Sequence, residues 1–203
     1  FSLEGLFLTC SLDQTVCLWH PTEEKTLGSF EHDESVTCAA WSPTESGIFA
    51  VCTFGEFVFV WDARENAVIN RLQVASPPTA VTFSPDGKFI AVGCLDGELY
   101  FFSSETYKYV TRFIVGPRRK KMKRNQKVTS IVFITNDRFL VATNDSRVRL
   151  YSMDNYLVIR KYLGHASKEG HMQLSLSPDH KMVMGKSETD GAVFIWPIDH
   201  EHE

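Results

Sequence analysis

The sequence predicts an all-β fold built from five similar four-stranded units, and three observations carry that prediction. A short pattern returns along the chain: Asp13 with Trp19, Gly55 with Trp61, Asp96 with Phe102, Asp145 with Tyr151 and Asp190 with Trp196, each pair six residues apart. The residues inside each pair alternate, with Val16, Val58, Leu99, Val148 and Val193 three positions after the Asp or Gly and Leu18, Val60, Phe101, Leu150 and Ile195 two further on. That is the period of two expected of a buried strand. The closing aromatics are 42, 41, 49 and 45 residues apart, which is the length of one four-stranded blade of a β-propeller. No long stretch shows the 3.6 period of an amphipathic helix.

The units follow in order. In the first, residues 1–30, Phe1 matches the aromatic that ends the first strand of later units, as Trp41 and Phe83 do, so most of an inner strand is missing. Leu6 to Ser11, Thr15 to Trp19 and Lys25 to Phe30 make its strands, with Asp13-Gln14 as a tight turn and Pro21-Thr22 as a corner. The second, residues 36–72, has Val36 to Trp41, a Ser42-Pro43 turn, Ile48 to Thr53, Phe57 to Trp61 and Ala67 to Leu72. The third, residues 80–113, has Ala80 to Phe83, the corner Ser84-Pro85-Asp86-Gly87, Phe89 to Cys94, Glu98 to Phe102 and Tyr109 to Phe113. Proline presets one turn dihedral there and Gly87 accepts a positive φ. The fourth, residues 128–162, has Val128 to Phe133, a turn at Asn136-Asp137, Phe139 to Thr143, Arg147 to Tyr151 and Tyr156 to Tyr162. The fifth, residues 172–203, has Met172 to Leu176, Ser177-Pro178-Asp179, Lys181 to Met184 and Ala192 to Trp196. The first unit lacks its inner strand and the last its outer one, deficits that do not complement each other. The expectation is a part of a larger ring, with seven blades as the common number.

Composition agrees with a globular domain: 203 residues, 43% hydrophobic and 23% charged. No apolar run is long enough to span a bilayer, and residues 1–5 have no signal-peptide character. The reading is a soluble, cytoplasmic chain. Cys10, Cys17, Cys38, Cys52 and Cys94 are odd in number, lie in apolar strand patterns and form no CxxC pair, so they read as reduced core thiols. The seven histidines are scattered, with His171 and His180 nine apart and His200 and His202 in an acidic tail. No metal site and no cofactor is expected.

With its Gly164-His165 and His32 ahead of inner strands, its Ser-Pro-Asp corners and its Asp-x-x-Val-x-Leu-Trp strand ends, the chain resembles the WD-repeat propellers over nearly its whole length. The resemblance implies a structural hydrogen-bond set in each blade that links a histidine, a Ser or Thr, the turn aspartate and the tryptophan. Ser11, Asp13 and Trp19 match it in the first unit, and His32, Thr53 and Trp61 in the second, where Gly55 replaces the aspartate. Asp96 alone matches in the third; Thr143 and Asp145 match in the fourth, with Tyr151 for the indole. His165, Asp190 and Trp196 match in the fifth, with Glu188 where a hydroxyl is expected. Ser11 to His20 and Asn144 to Tyr151, with a basic insertion just before Lys127 to Ile131, are further similar to the rabphilin-like WD-repeat proteins that bind Rab GTPases. That likeness implies vesicle traffic and a small GTPase complex, and Rab binding in that group draws on sequence outside the propeller.

Residues 116–127 depart most from blade regularity. Arg118, Arg119, Lys120, Lys121, Lys123, Arg124 and Lys127 carry seven positive charges with no acid among them; the chain totals −4, which leaves −11 elsewhere. Three readings stand: a solvated connection, a contact for an acidic protein or an anionic membrane surface, and a nucleic-acid contact. The acidic remainder and the absence of interleaved aromatics disfavour nucleic acid. Phe54, Phe57, Tyr107 and Tyr156 read either as a partner patch or as core between blades, and Arg147 and Arg149, on one side of a strand, as a core-edge pair or a ligand contact. There is no Gly-rich phosphate loop, GxSxG or HExxH, so no catalytic residue is assigned and a central channel is the one remaining enzymatic route. The resulting expectation is a non-enzymatic protein-interaction scaffold, with the recognition propeller of a ubiquitin-ligase or chromatin complex as the alternative.

Overall fold

The computed structural model describes residues 2–116, 126–167, 170 and 172–198. Their regular structure is all strand: β1 (Phe7–Cys10), β2 (Thr15–Trp19), β3 (Thr26–Glu31), β4 (Val36–Trp41), β5 (Ile48–Thr53), β6 (Phe57–Asp62), β7 (Ala67–Gln73), β8 (Pro78–Phe83), β9 (Phe89–Cys94), β10 (Glu98–Ser103), β11 (Tyr109–Ile114), β12 (Val128–Phe133), β13 (Arg138–Thr143), β14 (Arg147–Ser152), β15 (Val158–Tyr162), β16 (Leu174–Leu176), β17 (Met182–Lys186) and β18 (Val193–Pro197). They form five antiparallel meanders in chain order: β1-β2-β3, β4-β5-β6-β7, β8-β9-β10-β11, β12-β13-β14-β15 and β16-β17-β18. These are propeller blades, four-stranded in the middle three and three-stranded in the first and last.

The second and third strands of each middle sheet are largely buried on both faces, which explains strands as apolar as β5, where all six residues are buried. Alternation then sends successive side chains to different neighbours. Phe49 and Val51 pack with Val16, Leu18 and Phe30 of the first blade, whereas Ile48, Ala50 and Cys52 pack with Val81, Ile90 and Val92 of the third. Phe101 meets Phe139 between the third and fourth blades, and Leu140 and Leu150 meet Leu174 and Val183 between the fourth and fifth. The third-strand aromatic consistently faces back: Trp61 stacks on Phe30 edge-to-face at 5.3 Å, and Tyr151 lies 5.4 Å from Phe113.

Two irregularities repeat with the blades. A register shift separates Leu18/Trp19, Val60/Trp61, Phe101/Phe102 and Leu150/Tyr151, so a bulge precedes the aromatic each time. Another interrupts the inner strands of the three middle blades at Val36/Cys38, Pro78/Ala80 and Val128/Ser130. There Thr37 donates its hydroxyl to Pro78 O at 2.9 Å and Thr79 to Val128 O at 2.5 Å, tying each inner strand to the next.

The corners at the opposite end also link neighbours in sequence. Ser46 donates to Glu4 Oε1, a Cβ on Gly87 would collide with Thr44, the Asp86 N–H reaches Asn136 Oδ1 at 3.0 Å, and His180 Nδ1 lies 2.9 Å from Ile134 O. Gly87 has φ of +70°, the left-handed conformation expected of the Ser-Pro-Asp-Gly corner. Two strands start two residues later than the pattern indicates. β15 begins at Val158 because Tyr156 has φ of +56° and sits in the turn, and β16 begins at Leu174.

Candidate functional site

Antiparallel order places the turns between second and third strands at the same end of every sheet as the connections between blades. The residues matching the hydrogen-bond set gather there, but each blade solves the turn differently.

In the first blade, Asp13 accepts the Thr15 hydroxyl at 2.6 Å and the Thr15 N–H at 3.1 Å, bonds that hold its carboxyl below the usual value. Ser11 Oγ accepts the Asp13 N–H at 3.3 Å. Trp19 is not joined to them: its indole N–H bonds Thr9 Oγ1 at 2.8 Å. In the second blade, His32 meets Trp61 edge-on at 5.4 Å, and His32 Nε2 and Trp61 Nε1 are buried without a hydrogen-bond partner. Burial lowers the His32 pKa against the opposing charge of Asp33. Where Gly55 replaces the aspartate, the space is filled from elsewhere. A Cβ at Gly55 would overlap the Glu34 carboxylate, whose Oε2 accepts the Thr53 hydroxyl at 3.4 Å. The acid thus comes from the connection before the blade, a substitution that repeat alignment does not show.

Asp96 accepts the Glu98 N–H at 3.0 Å, with buried Cys94 at the position of the hydroxyl. In the fourth blade the aspartate has gained arginines. Arg149, 1% exposed, gives Nη2 to Asp145 Oδ2 at 2.5 Å and Nη1 to Thr143 Oγ1 at 2.6 Å, and Arg147 Nη1 reaches Asp145 Oδ2 at 3.0 Å. Burial works to raise Asp145, but the hydrogen bonds from Arg149 and Thr143 and the charge of Arg149 outweigh it, so its pKa is lowered. Both arginines therefore form a structural pair on one carboxylate. Tyr151 OH accepts the Gly116 N–H at 3.3 Å.

In the fifth blade the hydroxyl is present after all, one residue earlier than alignment places it. Ser187, not Glu188, bonds Asp190 and lowers its pKa, because the turn between Lys186 and Val193 is longer than that between Cys10 and Thr15. His165 is 3% exposed, meets Trp196 at 5.4 Å and has neither ring nitrogen hydrogen-bonded; Trp196 donates instead to Leu163 O at 3.1 Å. Burial lowers the His165 pKa, with Asp145 opposing.

The turn aspartates and their hydroxyls are occupied in holding turns, and His32, Trp61 and His165 are shielded from solvent, so the chemistry left for a partner lies in exposed side chains. The four aromatics divide: Phe54 and Phe57 are exposed, while Tyr107 and Tyr156 pack against the cores of the second-third and third-fourth interfaces. Among the described residues no group of three His, Cys, Asp or Glu is placed to hold a metal ion. Arg118, Arg119, Lys120, Lys121, Lys123 and Arg124 lie outside the described residues. Lys127, at their edge, is partly buried, and burial lowers its pKa. Gly116 and Gln126 flank the segment in close approach to each other.

A family model described as WD domain, G-beta repeat matches residues 24–62, 70–103 and 118–152, more than half of the chain. The chain belongs to the WD40 repeat family. It is 28% identical over 205 residues to an uncharacterized WD repeat-containing protein of Schizosaccharomyces pombe, a match covering 98% of this chain and 35% of that protein. It is 29% identical over 207 residues to WD repeat-containing protein 44 of Xenopus laevis, covering 99% of this chain and 22% of the relative. The chain thus spans about a third or less of the relatives it matches. WD40 repeats generally form interaction scaffolds and are typically without catalysis of their own.

Proposed function

We propose that this WD40 region is a non-catalytic platform for protein–protein contact in the cytoplasm, working through the turn end of its blades. The observation that carries the reading is the division of labour there: the repeated aspartates and the hydroxyls bonded to them are consumed by the fold, while Leu12 and Phe54 stand in solvent at 72% and 61% exposure. Exposed apolar groups on a rigid scaffold are what interaction faces offer. The basic segment 116–127 adds a second contact, for an acidic protein or an anionic membrane surface, because each cation near such a surface contributes about 1 kcal/mol. The likeness of residues 11–20 and 144–151 to Rab-binding WD-repeat proteins supports Rab-linked vesicle traffic on endomembranes as the setting.

Two measurements test it. The chain used as bait is expected to retain a protein partner in stoichiometric amount; a specific, saturable turnover with no such partner refutes the platform. Replacing Arg118, Arg119, Lys120 and Lys121 with Ala is expected to weaken binding to anionic liposomes or to the acidic partner. Unchanged, salt-independent binding removes the basic segment from the reading.

A further inference from the structure

We propose that the turns carrying Leu12 and Phe54 form a docking surface for an extended, cationic protein segment with one apolar side chain. This rests on the platform reading above and gives it a surface and a partner chemistry. Three turns from two blades are laced together by four hydrogen bonds. His32 N–H donates to Gln14 O at 2.9 Å, Val36 N–H to Ser11 O at 3.2 Å, Ser35 Oγ to Leu12 O at 2.9 Å and Phe54 N–H to Ser35 O at 2.9 Å. The backbone at Leu12 and Phe54 is therefore fixed on either side of Ser35, and a partner has only the two side chains left to order. Two large apolar side chains held apart across a small polar residue offer a seat for one apolar side chain of a ligand.

The charge around that seat selects the partner. Asp13, Glu31, Asp33, Glu34 and Glu56 are all exposed, and residues 11–15, 31–36 and 54–57 contain no Lys or Arg. Asp13 and Glu34 are engaged by Thr15 and Thr53. The carboxylates of Glu31, Asp33 and Glu56 make no ion pair among the described residues, so they are left for a ligand. Two cations border the surface and both are occupied. Arg71 lies over the Phe59 ring at 5.3 Å, and Arg112 bonds Tyr100 OH at 2.9 Å and Glu98 Oε2 at 3.3 Å. Glu56 also joins the surface to a cleft of about 420 Å³ lined with Gln73, Ala75, Tyr100 and Arg112, a path for chain continuing past Phe54. The exposed ring of Phe54 among carboxylates further favours a cation above its face. An anionic membrane or an acidic peptide would be repelled by the same five carboxylates.

The test uses the whole chain and a labelled nonapeptide of Arg and Lys with a central Leu, followed by fluorescence anisotropy. Binding is expected to weaken steeply between about 50 and about 500 mM salt. Leu12→Ser with Phe54→Ser, and separately Asp33→Lys with Glu56→Lys, are each expected to weaken it by about tenfold or more. Their urea midpoints, expected unchanged for exposed side chains, show that the fold is kept. Equal binding to wild type and both variants, preference for a Glu-substituted peptide, or displacement of the peptide by phosphatidylserine vesicles would each overturn the proposal. A bait partner still retained by the Leu12→Ser, Phe54→Ser variant would leave the platform reading standing and remove this surface from it. Variant-sensitive peptide binding with no retained partner would do the reverse.

Discussion

The Glu34 carboxylate standing in for an aspartate at Gly55 makes a prediction that runs against alignment. Restoring the aspartate by Gly55→Asp in the wild-type background should destabilise the protein. Nothing in the backbone opposes the change, since Gly55 does not take a positive φ; the obstacle is the Glu34 carboxylate, which occupies the position of the new Cβ. Glu34 must swing away and surrender the hydroxyl of buried Thr53, a loss of about 1 kcal/mol for a long, part-buried bond. Two carboxylates at about 4 Å in water repel by about 1 kcal/mol more. Glu34→Ala alone costs the same Thr53 bond, about 1 kcal/mol. The double variant should recover, because the aspartate can then accept from Thr53 and from the N–H two residues on, as Asp13 does from Thr15. The two changes are expected to couple favourably by about 1–2 kcal/mol in a double-mutant cycle measured by urea unfolding. Additivity within about 0.5 kcal/mol would show that Glu34 and Gly55 do not share a site, and the reasoning would fall.

Arg149→Met should cost about 3 kcal/mol, since it leaves the part-buried Asp145 carboxylate with only Arg147 and the Thr143 hydroxyl, and adding Asp145→Asn should return part of that loss in the same urea assay. Gly87→Ala should cost about 1–2 kcal/mol, from the positive φ and the collision with Thr44; Thr44→Ala should relieve the collision and leave the φ cost. His32 and His165 have folded pKa values below the ordinary 6.5, so the unfolded chain binds more protons below that pH. Their contribution to stability is full above about pH 6.5 and lost as pH falls toward the folded values; His165→Phe should flatten the fall in Tm between about pH 7 and pH 5. Burial pushes the Cys38 thiol up to about 11 and raises Cys52 and Cys94 as well, so these three should react with a disulfide reagent at about pH 8 only after unfolding.

The fold was legible because its signal is a repeated one. Alternation in Thr15–Trp19 or Phe57–Asp62 marks short strands, and the recurrence of the aromatic sets the phase of every blade. What the repeat could not reveal is compensation between positions that are not aligned. Glu34 replaces an acid missing at Gly55, and Ser187 replaces a hydroxyl displaced by a longer turn. Trp19, for its part, finds Thr9 and not the expected set. Each case follows from a local demand, a hydroxyl or an indole needing a partner, that any nearby group can meet. The Tyr156 turn escaped for a related reason: an aromatic beside Leu157 and Val158 reads as strand, and only its positive φ shows otherwise. Surface function was the least legible, since Leu12 and Phe54 lie in the same turns as structural residues and differ from them only in where they point.

The corner contacts, from Glu4 with Ser46 to His180 with Ile134, pass from each blade to the next. The third of the described sheets is thus held by a seam on each side, and opening it breaks both. Amide protons in β9 and β10, whose residues are nearly all buried, should therefore exchange far more slowly than those in β17, where Met182, Met184 and Lys186 are exposed.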